Sequence, residues 1–290
     1  MFEYSTRNPD IPVAYSSGKV MHTLAEILLP HLTEADARIV TDEIWDLFRS
    51  YERRFNRFDK GSILADINRR AANESVAVDE ETYMILEMCR IFCQNTDGCF
   101  DITANTASRS SHDGPANYIL DAEHHTIRFA DDSVRLDLGG FAKGYAMEQV
   151  QRLLVRHGIN CGIINLGNST TLALGAHPYG TNWPVSVEHP YYPGRQASTF
   201  PLLDSALSIS GRNGQGQAHI IDPYTGDLID RPGFIAVTGR SPLVVEVLST
   251  ALYVCAPEQR PTVLQRFPGY EGTEIICRTD GTVTNLPITG

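Results

Sequence analysis

Residues 126–146 read TIRFADDSVRLDLGGFAKGYA. TIRF (126–129) and VRLDL (134–138) have the texture of neighbouring strands. Gly139-Gly140 then turns the chain into a helix carrying Ala142, Tyr145, Ala146, Val150 and Leu153. Strand, glycine turn and helix together aim free backbone N–H groups at an anion. The stretch matches neither the Walker loop nor the GxGxxG dinucleotide fingerprint. It does offer Asp137 at a predicted strand end, two glycines that allow close backbone approach, and Lys143 in the first turns of the helix. That set suits a nucleotide diphosphate. A tight strand-to-helix turn with a surface lysine is the plainer reading of the same residues.

Upstream, Thr33 and Asp36 form a capping-box-like pair, and Val40, Ile44, Leu47, Phe48, Tyr51 and Phe55 recur at helical spacing, predicting one long amphipathic helix. A second helix is predicted from about Asp79, with Ile85, Met88, Cys89 and Phe92 on one face and Gly98 as its stop signal. After Gly158 the pattern turns to short strands near 161–166, 171–175, 184–188, 206–210, 218–221 and 235–238. A helix from about Ser241 to Cys255 follows, then a short one begun by Pro261, and final strands near 274–278 and 281–284. Helices and strands without regular βαβ alternation predict an α+β fold.

The formal net charge of −11 argues against a nucleic-acid backbone or an anionic membrane as partner. No apolar run reaches the roughly 20 residues of a membrane-spanning helix, and the start lacks a signal peptide. The expected location is therefore cytoplasmic, or extracytoplasmic if an export signal has been removed. The six cysteines show no paired CxxC spacing, so reduced, buried thiols are expected rather than a disulfide framework or a thiolate zinc site. With no repeat or long linker, residues 1–290 are expected to form a single domain whose lobes arise by chain crossing.

Three more segments carry candidate chemistry. In ISGRNGQGQAHIIDPYTG (209–226) a glycine-rich loop leads into a predicted strand, Ala218 to Ile221, that presents His219, and then into a turn begun by Asp222-Pro223. A histidine side chain, unless perturbed, titrates near neutrality, which is what proton transfer with a hydroxyl requires. A hairpin loop, with His219 hydrogen-bonded in the sheet and Asp222 bonding the turn backbone, is the plainer alternative. In SPLVVEVLSTALYV (241–254), Glu246 and Thr250 share a helix face, and two oxygen donors suit a hard cation such as Mg²⁺. A core hydrogen bond explains Thr250 equally well. In GCFDITANT (98–106), Phe100 offers an aromatic face, and Asp101 and Thr103 offer polar groups on alternate positions of an extended segment.

In this order these segments resemble the FAD:protein FMN transferase family, the ApbE family, over most of the chain from about Met21. DLGGFAKGY (137–145) resembles the family's DLGGIAKGY, and HIIDPYTG (219–226) resembles its HIIDPRTG. Weaker likenesses lie at 58–68 (FDKGSILADIN), 98–103, 164–167 and 183–190. The resemblance implies a two-lobed α/β architecture with mixed or antiparallel sheets and flanking helices. It implies Mg²⁺-dependent cleavage of FAD, transfer of FMN to a threonine or serine hydroxyl of an acceptor protein, and release of AMP. Carried onto this chain, Met21, Phe58, Phe100, Asp101, Thr103, Asp137, Lys143 and Ile221 would bind FAD. The Ala142 carbonyl, Glu246 and Thr250 would hold Mg²⁺, and His219 and Asp222 would be catalytic.

Three positions depart from the family pattern. His22 stands where Met-Gly-Thr has its glycine, Asn168-Ser169 where Gly-Gly-Asp has its last two residues, and Glu246 in place of the metal-site aspartate. They leave two alternatives to flavin transfer: a non-catalytic flavin or nucleotide binder, and a pyrophosphatase that splits FAD into FMN and AMP.

Overall fold

The structure is a computed structural model that describes residues 1–104, 117–167, 169–212, 220–231 and 233–289. It opens with an antiparallel meander not singled out by the sequence periodicity: β1 (Phe2–Ser5), β2 (Val13–Val20) and β3 (Thr23–Pro30). β2 and β3 join through Met21 and His22, both at positive φ, 50° and 61°. His22 thus holds the left-handed conformation that glycine adopts most readily, and the tight hairpin survives the substitution with local strain.

The long helix forms as predicted. Thr33 Oγ1 accepts the Asp36 N–H at 3.2 Å, and α1 (Glu34–Phe55) buries Val40, Ile44, Phe48, Tyr51 and Phe55 along one stripe. An unpredicted short helix, α2 (Ile63–Arg70), starts on Ser62, whose Oγ accepts from Ala65 N–H. After β4 (Val76–Ala77), α3 (Glu80–Asn95) is capped by Asp79 through the Thr82 N–H, and Gly98 ends the region at φ 79°.

β5 (Tyr118–Asp121) and β6 (Thr126–Phe129) follow, and β6 is TIRF as predicted. Its neighbour is not VRLDL, however: the small sheet has the order β4-β6-β5, and residues 134–138 form no strand. A side chain satisfies that backbone instead. Asn68 Oδ1 accepts the Leu136 N–H at 2.7 Å, its Nδ2 donates to the Leu136 carbonyl at 2.9 Å, and Asp137 N–H donates to the Ile102 carbonyl. α4 (Ala142–Arg156) then begins at Phe141 with no capping side chain and no acidic residue in its first turn.

The remainder is β7 (Gly162–Leu166), β8 (Thr170–Leu174), the separate hairpin of β9 (Trp183–Glu188) and β10 (Gln196–Leu202), then β11 (Ser205–Arg212) and β12 (Gly233–Gly239). Of the predicted strand at 218–221, residues 218 and 219 lie outside the described residues, and Ile221 makes only an isolated bridge to Leu228. Ser241 caps α5 (Pro242–Val254), α6 (Arg260–Gln265) has the expected early proline, and β13 (Glu271–Cys277) and β14 (Val283–Ile288) close the chain.

Nine strands form one sheet in the order β1-β2-β3-β7-β8-β11-β12-β13-β14, antiparallel at every pairing. The fold class is α+β. Strand pleating sends alternate side chains to two cores. Ile27, Leu29, Ile164, Leu172 and Val237 join the core packed by α1, α4 and α5, while Leu28, Ile163, Leu207 and Phe234 face Trp183, Val187 and Leu202 of the β9–β10 hairpin. Gly144 lets α4 and α5 touch: a Cβ there would lie 2.6 Å from the Cβ of Glu246 and 2.9 Å from the Pro242 carbonyl oxygen.

Candidate active site

That close approach places the start of α4 against Glu246. Lys143 Nζ lies 2.6 Å from Glu246 Oε1 and donates to the Gly139 carbonyl at 3.2 Å. Glu246 is 4% exposed, so its charge needs partners. The neighbouring strands supply them: its Oε2 accepts from Thr170 of β8 and, at 3.0 Å, from Ser208 of β11. Hydroxyls continue outward from Ser208 to Ser249 (3.0 Å), Ser210 (2.9 Å) and Thr250 (3.2 Å), and Thr250 also donates to the Glu246 carbonyl at 3.2 Å. The predicted helix face is real, and the core hydrogen bond for Thr250 is present as well.

Of these groups Gly139, Lys143, Ser210, Glu246 and Thr250 line a cavity of about 1140 Å³, whose wall also includes Gly167 and Ser169 of the β7–β8 turn. Asp137 stands in its wall. Its Oδ1 accepts the Gly139 N–H at 2.9 Å, and its Oδ2 pairs with Arg57 at 2.9 Å. Across the sheet the wall is a polar row, of which only Asn165 lies in a stretch that resembles the family. Tyr15 donates to Glu26 at 2.8 Å, Asn165 donates to Glu26 at 3.3 Å, and Thr171 donates to Asn165 at 3.4 Å.

The structure brings Phe100, Asp101, Asp137, Lys143, Ile221, Glu246 and Thr250 together on this cavity. Others sit elsewhere. Asp101 and Thr103 are not alternate positions of an extended segment: Asp101 Oδ1 accepts both the N–H and the hydroxyl of Thr103 at 2.8 Å, which closes a turn and buries Thr103 behind the wall. Met21 packs part-buried on the helix-side core, and Ala142 is buried in it. Phe58 is 74% exposed beneath the Arg57 guanidinium, 4.7 Å from its ring centre. None of these four residues lines the cavity among the described residues.

Asp222 takes the plainer of its two readings. Its Oδ1 accepts from Tyr224 N–H at 2.8 Å and its carbonyl accepts from Gly226 N–H at 2.8 Å, so the carboxylate holds the turn. His219 and Asn168 lie outside the described residues. Ser169 donates to the Leu166 carbonyl at 3.2 Å. Cys99, also on the cavity, is hydrogen-bonded to Cys255, which lowers the Cys99 thiol pKa and raises that of Cys255. Arg57 could be found from the sequence only by its place beside Phe58; nothing in spacing pairs it with Asp137.

Five carboxylates and two cations line the cavity among the described residues: Glu26, Asp101, Asp137, Glu188 and Glu246 against Arg57 and Lys143. Such a wall repels a diphosphate unless a further cation accompanies it. The Glu246 face fits a hard cation, because its donors are all oxygens and it already holds one cation, the ammonium of Lys143. No group of three His, Cys, Asp or Glu side chains suited to a metal occurs among the described residues.

The profile of the ApbE family matches residues 21–273. A Treponema pallidum protein named FAD:protein FMN transferase is 24% identical over 283 residues, covering 82% of this chain and 77% of its own length. A Rhodobacter capsulatus protein of the same name is 26% identical over 298 residues, and the match spans 92% of this chain and 56% of that protein. The structure of the flavin transferase ApbE from Vibrio cholerae shares the fold, with a TM-score of 0.79 at 21% identity over 95% of this chain and 96% of that one.

Proposed function

The chain belongs to the ApbE family, and on that premise we propose that it transfers the FMN part of FAD to a threonine or serine hydroxyl of an acceptor protein. The acceptor oxygen forms a bond to the FMN phosphorus, the anhydride bond to the AMP phosphate breaks, AMP leaves with the electron pair, and the hydroxyl proton is lost. The observation that carries the reading is the one cavity wall shared by Asp137, Gly139-Gly140, Lys143 and the Glu246–Thr250 face.

Asp137, held by Arg57 and the Gly139 N–H, presents a fixed acceptor to a sugar hydroxyl or ring N–H of the ligand. At the start of α4 the Gly139 N–H is taken by Asp137 and those of Phe141 and Ala142 by the Leu138 carbonyl, so the N–H groups of Gly140 and Lys143 are the ones that would meet the diphosphate. Phe100 supplies an apolar surface to a ring. A Mg²⁺ ion held by Glu246 and Thr250, both on the cavity wall, would neutralise charge on the diphosphate. His219 is the candidate to orient or deprotonate the acceptor hydroxyl. Asp222 fixes the turn over 222–226.

Titration with FAD, followed by flavin fluorescence with and without Mg²⁺, tests the pocket. Incubation with candidate acceptors then tests the chemistry, and flavin-labelled protein together with stoichiometric AMP is the expected result. Free FMN without labelling would make the protein a pyrophosphatase, and bound FAD that is never consumed would make it a binder. No helix among the described residues is long and apolar enough to cross a membrane.

A further inference from the structure

We propose that Lys143 is a resident cation that keeps the place of the divalent ion in the ligand-free protein and moves onto the diphosphate when that ion arrives. This rests on the flavin-transfer reading above. Lys143 is the partner of Glu246 Oε1 at 2.6 Å, while Thr170 and Ser208 occupy Oε2. Oε1 is therefore the oxygen whose partner is a cation, and an ammonium and a metal ion would compete for it.

The lysine is held where its own helix disfavours it. Lys143 stands in the first turn of α4, at the positive end of the helix dipole, and no side chain caps that end. What retains the ammonium is Glu246 and the Gly139 carbonyl. The two partners also differ in freedom. The Lys143 side chain is 22% exposed and Glu246 only 5%, so the lysine can swing while the carboxylate stays fixed.

Once displaced, the ammonium enters the cavity that it already lines, beside Gly139 and Gly140, where a diphosphate would meet the N–H groups of α4. Without the metal the same ammonium is engaged by Glu246 and withheld from the ligand. Divalent ion and diphosphate therefore bind with positive coupling, each raising the affinity for the other by the same factor. The exchange also leaves Glu246 paired with a cation at every stage, which a nearly buried carboxylate requires.

The test measures Mn²⁺ binding to the flavin-free protein by loss of the free-ion EPR signal, in wild type, Lys143→Met, Lys143→Arg and Glu246→Gln. Removing the competitor should tighten Mn²⁺ binding about tenfold or more in Lys143→Met. Lys143→Arg should stay near wild type, and Glu246→Gln should bind no Mn²⁺ at the cavity. Because Lys143→Met leaves a buried carboxylate without its cation, folding is checked by circular dichroism, and Lys143→Gln, which keeps a hydrogen-bond donor, serves as a second variant with the same expectation. Equal or weaker Mn²⁺ binding in both neutral variants, with Glu246→Gln inactive in binding, overturns the proposal and leaves the metal reading standing. Mn²⁺ binding that survives Glu246→Gln, or that is absent from every protein, overturns the metal assignment and this proposal with it. In a second readout, Mg²⁺ should raise FAD affinity more in wild type than in Lys143→Met; equal coupling would show that the ammonium does not move to the ligand.

Discussion

The starts of α1 and α4 are built in opposite ways. α1 begins on Thr33, whose hydroxyl fills the Asp36 N–H, with Glu34 and Asp36 in its first turn to meet the helix dipole. α2, α3 and α5 also begin on capping side chains, Ser62, Asp79 and Ser241, and α2 and α3 have acids in their first turns. α4 has neither capping side chain nor acid, and it carries a lysine there instead. The Leu138 carbonyl accepts the Phe141 and Ala142 N–H groups there, but no side chain meets the helix dipole, and a lysine at that end is disfavoured in isolation. It is also the end that faces the cavity. Of the helices that start without a side-chain cap, α4 and the six-residue α6, only α4 opens on the cavity, with Gly139, Gly140 and Lys143 in its wall.

The difference is best broken at Glu246. Glu246→Gln should cut flavin transfer about 10²-fold or more while the protein stays folded, since Lys143 is exposed enough to turn to water. Unchanged turnover would remove the carboxylate from the site. Gly144→Ala comes next: the added methyl collides with Glu246 and the backbone of α5, and should cost about 1–3 kcal/mol with loss of FAD binding. Denaturant melts and flavin titration of the same preparation would check both effects, and full stability with full binding would contradict the close packing.

At the capped ends, stability should move and binding should not. Asp79→Ala should cost about 1–2 kcal/mol near neutral pH with flavin affinity unchanged. Burial opposes the charge of Asp79, but the Thr82 N–H and the Arg54 guanidinium outweigh it and hold the carboxyl below its ordinary 3.8. A depressed folded pKa gives stability that is present above the unfolded value and lost as pH falls through the folded one. The gap between wild type and Asp79→Ala should therefore close below about pH 4. A gap that persists in acid melts would mean that the charge is not what caps α3.

Arg57→Ala should lower FAD affinity by a few-fold and change stability by less than about 1 kcal/mol, because the pair with Asp137 is roughly one-third exposed on each side. Titration of the variant checks this, and unchanged affinity would make Arg57 a surface residue only. Thr33→Ala should have the smallest effect, about 0.5–1 kcal/mol in melts and nothing in the flavin titration.

Local signals were legible. Apolar spacing and a capping residue place α1, α3 and α5 within a residue or two of where they form, because each helix buries a stripe set by its own periodicity. The stretch DLGGFAKGY also lies where its composition suggested, at a helix start facing a cavity. The N-terminal meander was not legible, since its Met21-His22 turn carries none of the usual glycine or asparagine. VRLDL has the pattern of a strand but is not one, because the amide of Asn68 reaches its backbone from 68 residues away.

What the sequence determined by itself is the set of parts: the helices with their stops and starts, the α+β class, and the glycine turn that leaves α4 uncapped. What the tertiary structure decided is the company those parts keep. Arg57 meets Asp137, Thr170 and Ser208 close on Glu246, and Asn165 reaches Glu26 only because strands and helices distant in the chain are paired. Periodicity and capping act over a few residues, where the chain reads itself. A buried carboxylate must be neutralised by whatever folding brings to it, and that choice is made between segments that no local pattern connects.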